Sequence, residues 1–67
     1  MVEYTNSRIR ELIAEHIHSE RDRLILSLRL IDGWTFEKIA SHSQIDMSDK
    51  QVKRIVYKLQ EELFKHL

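Results

Sequence analysis

Between Lys50 and Lys58 the chain carries four cations, Lys50, Lys53, Arg54 and Lys58, and no acidic residue. On a helix, residues three and four apart share a face, so this spacing gathers the positive charge on one side. Such a face suits a polyanion. Ammonium groups neutralise phosphates, and a guanidinium can bond two acceptors on a single base edge. Asp49, Gln51 and Tyr57 add hydrogen-bonding groups among the cations. Charge alone is ordinary on an exposed helix, so the case depends on the elements that position this face.

Other chemistries find little support. His16, His18, His42 and His66 offer metal-ligand side chains, but His16 and His18 are two apart and diverge on a helix. With no cysteine in the chain and no i,i+4 histidine pair, no metal site is expected. Asp22, Asp32, Glu37 and Asp46 form no recognisable catalytic pair. No phosphate loop, nucleophile elbow or zincin motif is present. The sequence therefore predicts neither an enzyme nor a cofactor.

The positioning elements are helices. The first is expected from about Asn6 to Ile17, with Ile9, Leu12, Ile13 and Ile17 as its apolar stripe and Thr5, Asn6 or Ser7 as its cap. Ser19 opens the second, where Asp22 stands in for the usual Glu of a capping box. Leu24, Ile25, Leu26, Leu28, Leu30 and Ile31 cover more than one stripe, which marks a central helix. Gly33 is expected to end it in the left-handed C′ conformation. Thr35 caps a short third helix, Phe36 to about His42, whose apolar face is Phe36, Ile39 and Ala40. Trp34 reads as a staple over that helix or as an anchor for a partner. A polar stretch, Ser41 to Met47, follows. Ser48 with Gln51 then forms a capping box opening the last helix, which buries Val52, Ile55, Val56, Leu59 and Leu63. Phe64 and Leu67 extend that edge, either against Ile9, Leu12 and Ile13 or as a dimer seam.

The 67 residues predict a single domain, 1–67, folded as an all-α, four-helix compact bundle. Residues 1–18 form its N-terminal helix and a candidate oligomerisation element. Residues 19–67 form a helix-turn-helix unit with the recognition helix at the C-terminus. Net charge is zero, 11 Lys plus Arg against 11 Asp plus Glu, so any basic surface is local. No apolar run approaches the ~18 residues of a membrane span, and Met1 to Ser7 lacks a signal-peptide layout. Together with the missing cysteine, this predicts a cytoplasmic protein.

Short helix, turn, and capped longer helix is the helix-turn-helix plan, and specific residues extend the likeness. Arg21-Asp22-Arg23-Leu24-Ile25-Leu26-Ser27-Leu28-Arg29 resembles the opening helix of region four of the major bacterial sigma factors. Asp32-Gly33-Trp34-Thr35-Phe36-Glu37-Lys38-Ile39-Ala40 resembles that family's glycine turn and first motif helix. Gln51-Val52-Lys53, in a helix running to Leu63, resembles its recognition helix. LuxR-type response regulators share much of this pattern. The resemblance covers Glu20 to Leu67 and leaves Met1 to His18 outside. It implies double-stranded DNA as the partner, with Asp49, Lys50, Gln51 and Arg54 at base edges. Lys53, Tyr57 and Lys58 would lie near phosphates, as would Ser48 at the cap. Thr35 and Lys38 would face the backbone from the first motif helix. Between Ala40 and Val52 the chain is longer than the family pattern and lacks its turn glycine, so Ser41 to Met47 is expected to be built differently.

The implied function is a stand-alone, sequence-specific transcription regulator of the kind phages and mobile elements carry. One helix reads few base pairs, so a homodimer is expected, through the first helix or the C-terminal edge. Region four also contacts core RNA polymerase, which makes a protein-interaction module without DNA binding the alternative.

Overall fold

In the computed structural model, which describes residues 5–65, four helices follow one another: α1 (Asn6–His16), α2 (Glu20–Leu30), α3 (Phe36–Ala40) and α4 (Asp49–Phe64). Among the described residues there is no strand. The all-α, four-helix expectation therefore holds. Met1 to Tyr4, His66 and Leu67 lie outside the described residues.

Each helix starts on a side-chain cap. Thr5 accepts the Arg8 N–H, Ser19 that of Asp22, Thr35 that of Lys38 and Ser48 that of Gln51. Each bond satisfies one donor that a helix start leaves orphaned. The box expected at Ser19 is only half formed. Its carboxylate is one methylene shorter than that of Glu, and Asp22 Oδ1 is buried without a hydrogen-bond partner. Arg21 Nε, 3.8 Å away, is its charged neighbour.

Two helix ends differ from expectation. The cap of α2 is Ile31, so Gly33 stands two residues beyond it rather than immediately after. The last turn widens instead: the Ser27 carbonyl accepts from both Ile31 and Asp32, and the Trp34 N–H closes onto the Leu28 carbonyl at 2.9 Å. Gly33 does take the left-handed conformation, φ 72°, where a Cβ would be strained. Helix α3 ends at Ala40, short of His42, because the chain tightens there. His42 N–H bonds the carbonyl of Ile39, and the Ser41 hydroxyl donates to that of Lys38.

The turn from Ser41 to Met47 has its own architecture. The His42 carbonyl accepts from Ile45 and Asp46, the Met47 N–H reaches the Ala40 carbonyl, and His42 Nδ1 accepts the Gln44 N–H. This stretch is not wholly polar surface. Ile45 is only 5% exposed and belongs to the core. Asp46, φ 47°, occupies the left-handed position that glycine commonly fills. Aspartate tolerates that region better than most residues.

Two apolar clusters hold the chain together. Ile25, Leu28, Ile39, Ala40, Ile45, Val52 and Val56 join α2, α3, the turn and α4, with Trp34, Phe36 and Met47 packed alongside. Ile9, Leu12, Ile13, Ile17, Leu26 and Leu63 join α1 to α2 and the far end of α4. Helix α2 contributes to both, as a helix apolar on several sides must. Leu63 packs on the α1 stripe, whereas Phe64 is 37% exposed. Arg23 fastens the pair further by donating to the Ile17 and Ala14 carbonyls at the end of α1.

Leu63→Ala should cost about 2–5 kcal/mol, read as a lower unfolding midpoint in urea, because it empties the α1–α4 contact. At the turn, Asp46→Val should cost about 1–3 kcal/mol, while Asp46→Gly should hold the parent's midpoint. Equal midpoints for both Asp46 variants would contradict the left-handed assignment.

Candidate nucleic-acid interface

Helix α4 sorts its residues cleanly. Val52, Val56 and Leu63 are buried, and Ile55 and Leu59 are half-buried. Asp49, Lys50, Gln51, Lys53, Arg54, Tyr57 and Lys58 are all exposed. Steps of four, three and four put Lys50, Arg54, Tyr57 and Glu61 along the middle of the outward face. Lys53 and Lys58 flank it on opposite sides. The positive surface ends where Glu61 and Glu62 begin, so it occupies the part of α4 nearer α3.

Several of these side chains already have partners. Ser48 and Gln51 form the complete capping box. Gln51 Oε1 accepts from the Ser48 N–H at 3.2 Å and from its hydroxyl at 3.4 Å. A Gln reading adenine uses carbonyl and amide together. Here the carbonyl is committed to the cap, which leaves the NH2 group. Thr35 Oγ1 is likewise occupied in capping α3. Lys38 Nζ sits 4.3 Å above the Trp34 ring, and that ring also meets His42, centroids 6.2 Å apart. Trp34 is half-buried against the core, as a staple would be. Lys53 Nζ lies 5.9 Å from the Tyr57 centroid. Lys50, Arg54 and Lys58 join none of the ion pairs found among the described residues.

Thr35, Phe36, Glu37, Asp49, Lys50 and Lys53 line one open groove between the starts of α3 and α4. The fold thus brings Thr35 together with three α4 residues. Arg54, Tyr57 and Lys58 continue along α4, and Lys38 stands apart on the Trp34 side. Glu37 and Asp49 make the groove mixed in charge.

Two residues outside the sequence-derived set belong to this surface. Arg29, on α2, lies with its guanidinium carbon 4.2 Å from the Phe36 centroid and donates from Nη1 to the Trp34 carbonyl at 2.9 Å. Phe36 in turn meets Tyr57 edge to face, centroids 6.0 Å apart. Nothing in the periodicity marks this chain of contacts, since it links three helices. Among the described residues no group of three or more His, Asp or Glu converges as a metal site, and no helix is long and apolar enough to cross a membrane.

Gln51→Ala should lower stability by about 0.5–1 kcal/mol, seen as a reduced thermal midpoint. Gln51→Glu keeps a capping acceptor and should hold the parent value. If Ala and Glu variants melt alike, Gln51 is not part of the cap.

No family model matches the chain, and no match emerges among curated proteins or solved structures.

Proposed function

We propose that this chain is a sequence-specific DNA-binding transcription regulator, with α3 and α4 as a helix-turn-helix and α4 as its recognition helix. The observation that carries the reading is the order of charge along α4. A helix is stabilised by anions near its N-terminus and cations near its C-terminus. Here Lys50, Lys53 and Arg54 stand toward the N-terminal end, Glu61 and Glu62 occupy the last turn, and that turn holds no basic residue. Asp49 in the first turn and Lys65 at the C-cap are the exceptions that follow the stabilising pattern. A pattern that works against the helix's own stability fits a binding role better than a solvation role.

The roles follow from placement. Arg54, central and unpaired, reads a base edge. Lys50 lies on the same line and reaches a base edge beside it, and the flanking Lys53 and Lys58, with Tyr57, lie near phosphates. The α1 stripe is buried within the chain, so the proposed homodimer uses the C-terminal edge that carries Phe64. The zero net charge and acidic end of α4 favour a second reading, docking on RNA polymerase or another protein without DNA.

Binding to random duplex DNA, titrated with salt, separates the two. A DNA binder loses affinity steeply as salt rises; no binding at low salt leaves the protein-docking reading. Arg54→Ala should cost about 1–3 kcal/mol on a selected site and relax preference at one base pair. Lys58→Ala should weaken all duplexes alike and reduce the salt slope by about 1. If both variants fold and bind as the parent does, α4 is not the recognition helix.

A further inference from the structure

We infer that Arg29 is a positioning residue for DNA readout, acting through Phe36 and Tyr57 without touching DNA itself. The inference rests on the DNA-binding reading of α4. Its observations are independent of that reading: a continuous run of contacts from α2 to the outward face of α4. The Arg29 guanidinium covers the Phe36 ring at 4.2 Å. Phe36 presents an edge-to-face contact to Tyr57 at 6.0 Å. Tyr57, 55% exposed, carries Lys53 at 5.9 Å on its ring. The second arm of Arg29 holds the Trp34 carbonyl at 2.9 Å, one residue before the Thr35 cap.

The physical effect is restriction of motion. An exposed tyrosine at a helix surface samples several rotamers. Packing against a fixed ring selects one of them, because the quadrupoles favour an edge-to-face approach. Phe36 is itself fixed only if its other side is covered, and the planar guanidinium does this while bonded to backbone. Lysine at position 29 would keep the charge but lose both the flat stacking surface and the fork of donors. Arg29 is half-buried, and its guanidinium is turned toward Phe36 and Trp34. It therefore orders the middle of the interface while leaving the phosphate contacts unchanged in number.

Arg29→Lys is the primary test, with Phe36→Leu as a second variant that keeps an apolar core side chain. The first measurement needs no DNA. In the parent, the Tyr57 ring protons should carry a ring-current shift from Phe36 in the NMR spectrum. Arg29→Lys should move those resonances toward unstructured values while the buried methyl resonances of Val52 and Val56 stay in place. The second measurement compares affinity for a selected duplex and a random duplex across salt. The ratio between them should fall at least about fivefold, with the salt slope unchanged. Phe36→Leu should reproduce both effects, and the double variant should add little to either.

An unshifted Tyr57 spectrum overturns the coupling, whatever the DNA result. A shifted spectrum with an unchanged affinity ratio overturns the readout role. In a charge-removing variant, Arg29→Gln, a salt slope reduced by about 0.9 would mean that Arg29 contacts a phosphate directly, which also overturns the inference. If the parent binds no duplex, the DNA reading falls and the role of Arg29 in it falls too. The spectrum then still reports whether the contacts exist.

Discussion

The buried stripe of α4 is the contact on which the rest of the molecule depends. Val52 and Val56 close the cluster shared with α2, α3 and the long turn, and Leu63 closes the one shared with α1. A chain of 67 residues without cysteine has no disulfide staple, so its helices are held mainly by apolar burial. Helix α4 belongs to both clusters, and so does α2, through Ile25 and Leu28 on one side and Leu26 on the other. Helices α2 and α4 therefore link the two clusters, with α3 packed in one and α1 in the other. The burial of its inward face fixes which residues α4 turns outward.

The interface shares its residues with the scaffold. Gln51 caps the helix that it would help to read with. Thr35 caps α3 from the wall of the groove. Lys38 is drawn onto Trp34. In so small a molecule few side chains serve one purpose. The least committed cations of α4, Lys50, Arg54 and Lys58, are those with most freedom to meet a ligand.

What the sequence made legible was whatever is local. The caps at Ser19, Thr35 and Ser48 need only three residues of context, and the stripes of α1, α2 and α4 need only helical periodicity. The turn was not legible, for physical reasons. Ile45 has no apolar neighbour at helical spacing, so nothing nearby distinguishes it from an exposed residue; its burial depends on where α2 and α4 lie. Asp46 holds a left-handed position without being glycine, which removes the usual mark of such a residue. The loss of the Ser19 box follows from one methylene, a detail of reach that the pattern does not encode. The contacts of Arg29 with Phe36 and of Phe36 with Tyr57 join residues distant in sequence and follow only from the packed fold. The sigma-like resemblance rests on residue identities at three separated segments, and the proposed DNA role on charge and exposure.

The charge order along α4 has a consequence away from any contact. Cations at its start and carboxylates at its end add to the peptide dipoles of the helix instead of opposing them. A molecule with no net charge feels little pull toward a distant charged surface, but its dipole does feel an orienting torque in that surface's field. The contribution of α4 to that torque has the sign that turns the start of the helix toward a polyanion. Under the proposed DNA-binding role, this is the orientation that an encounter would need. Added salt blunts this alignment once the screening length falls to about 10 Å or less.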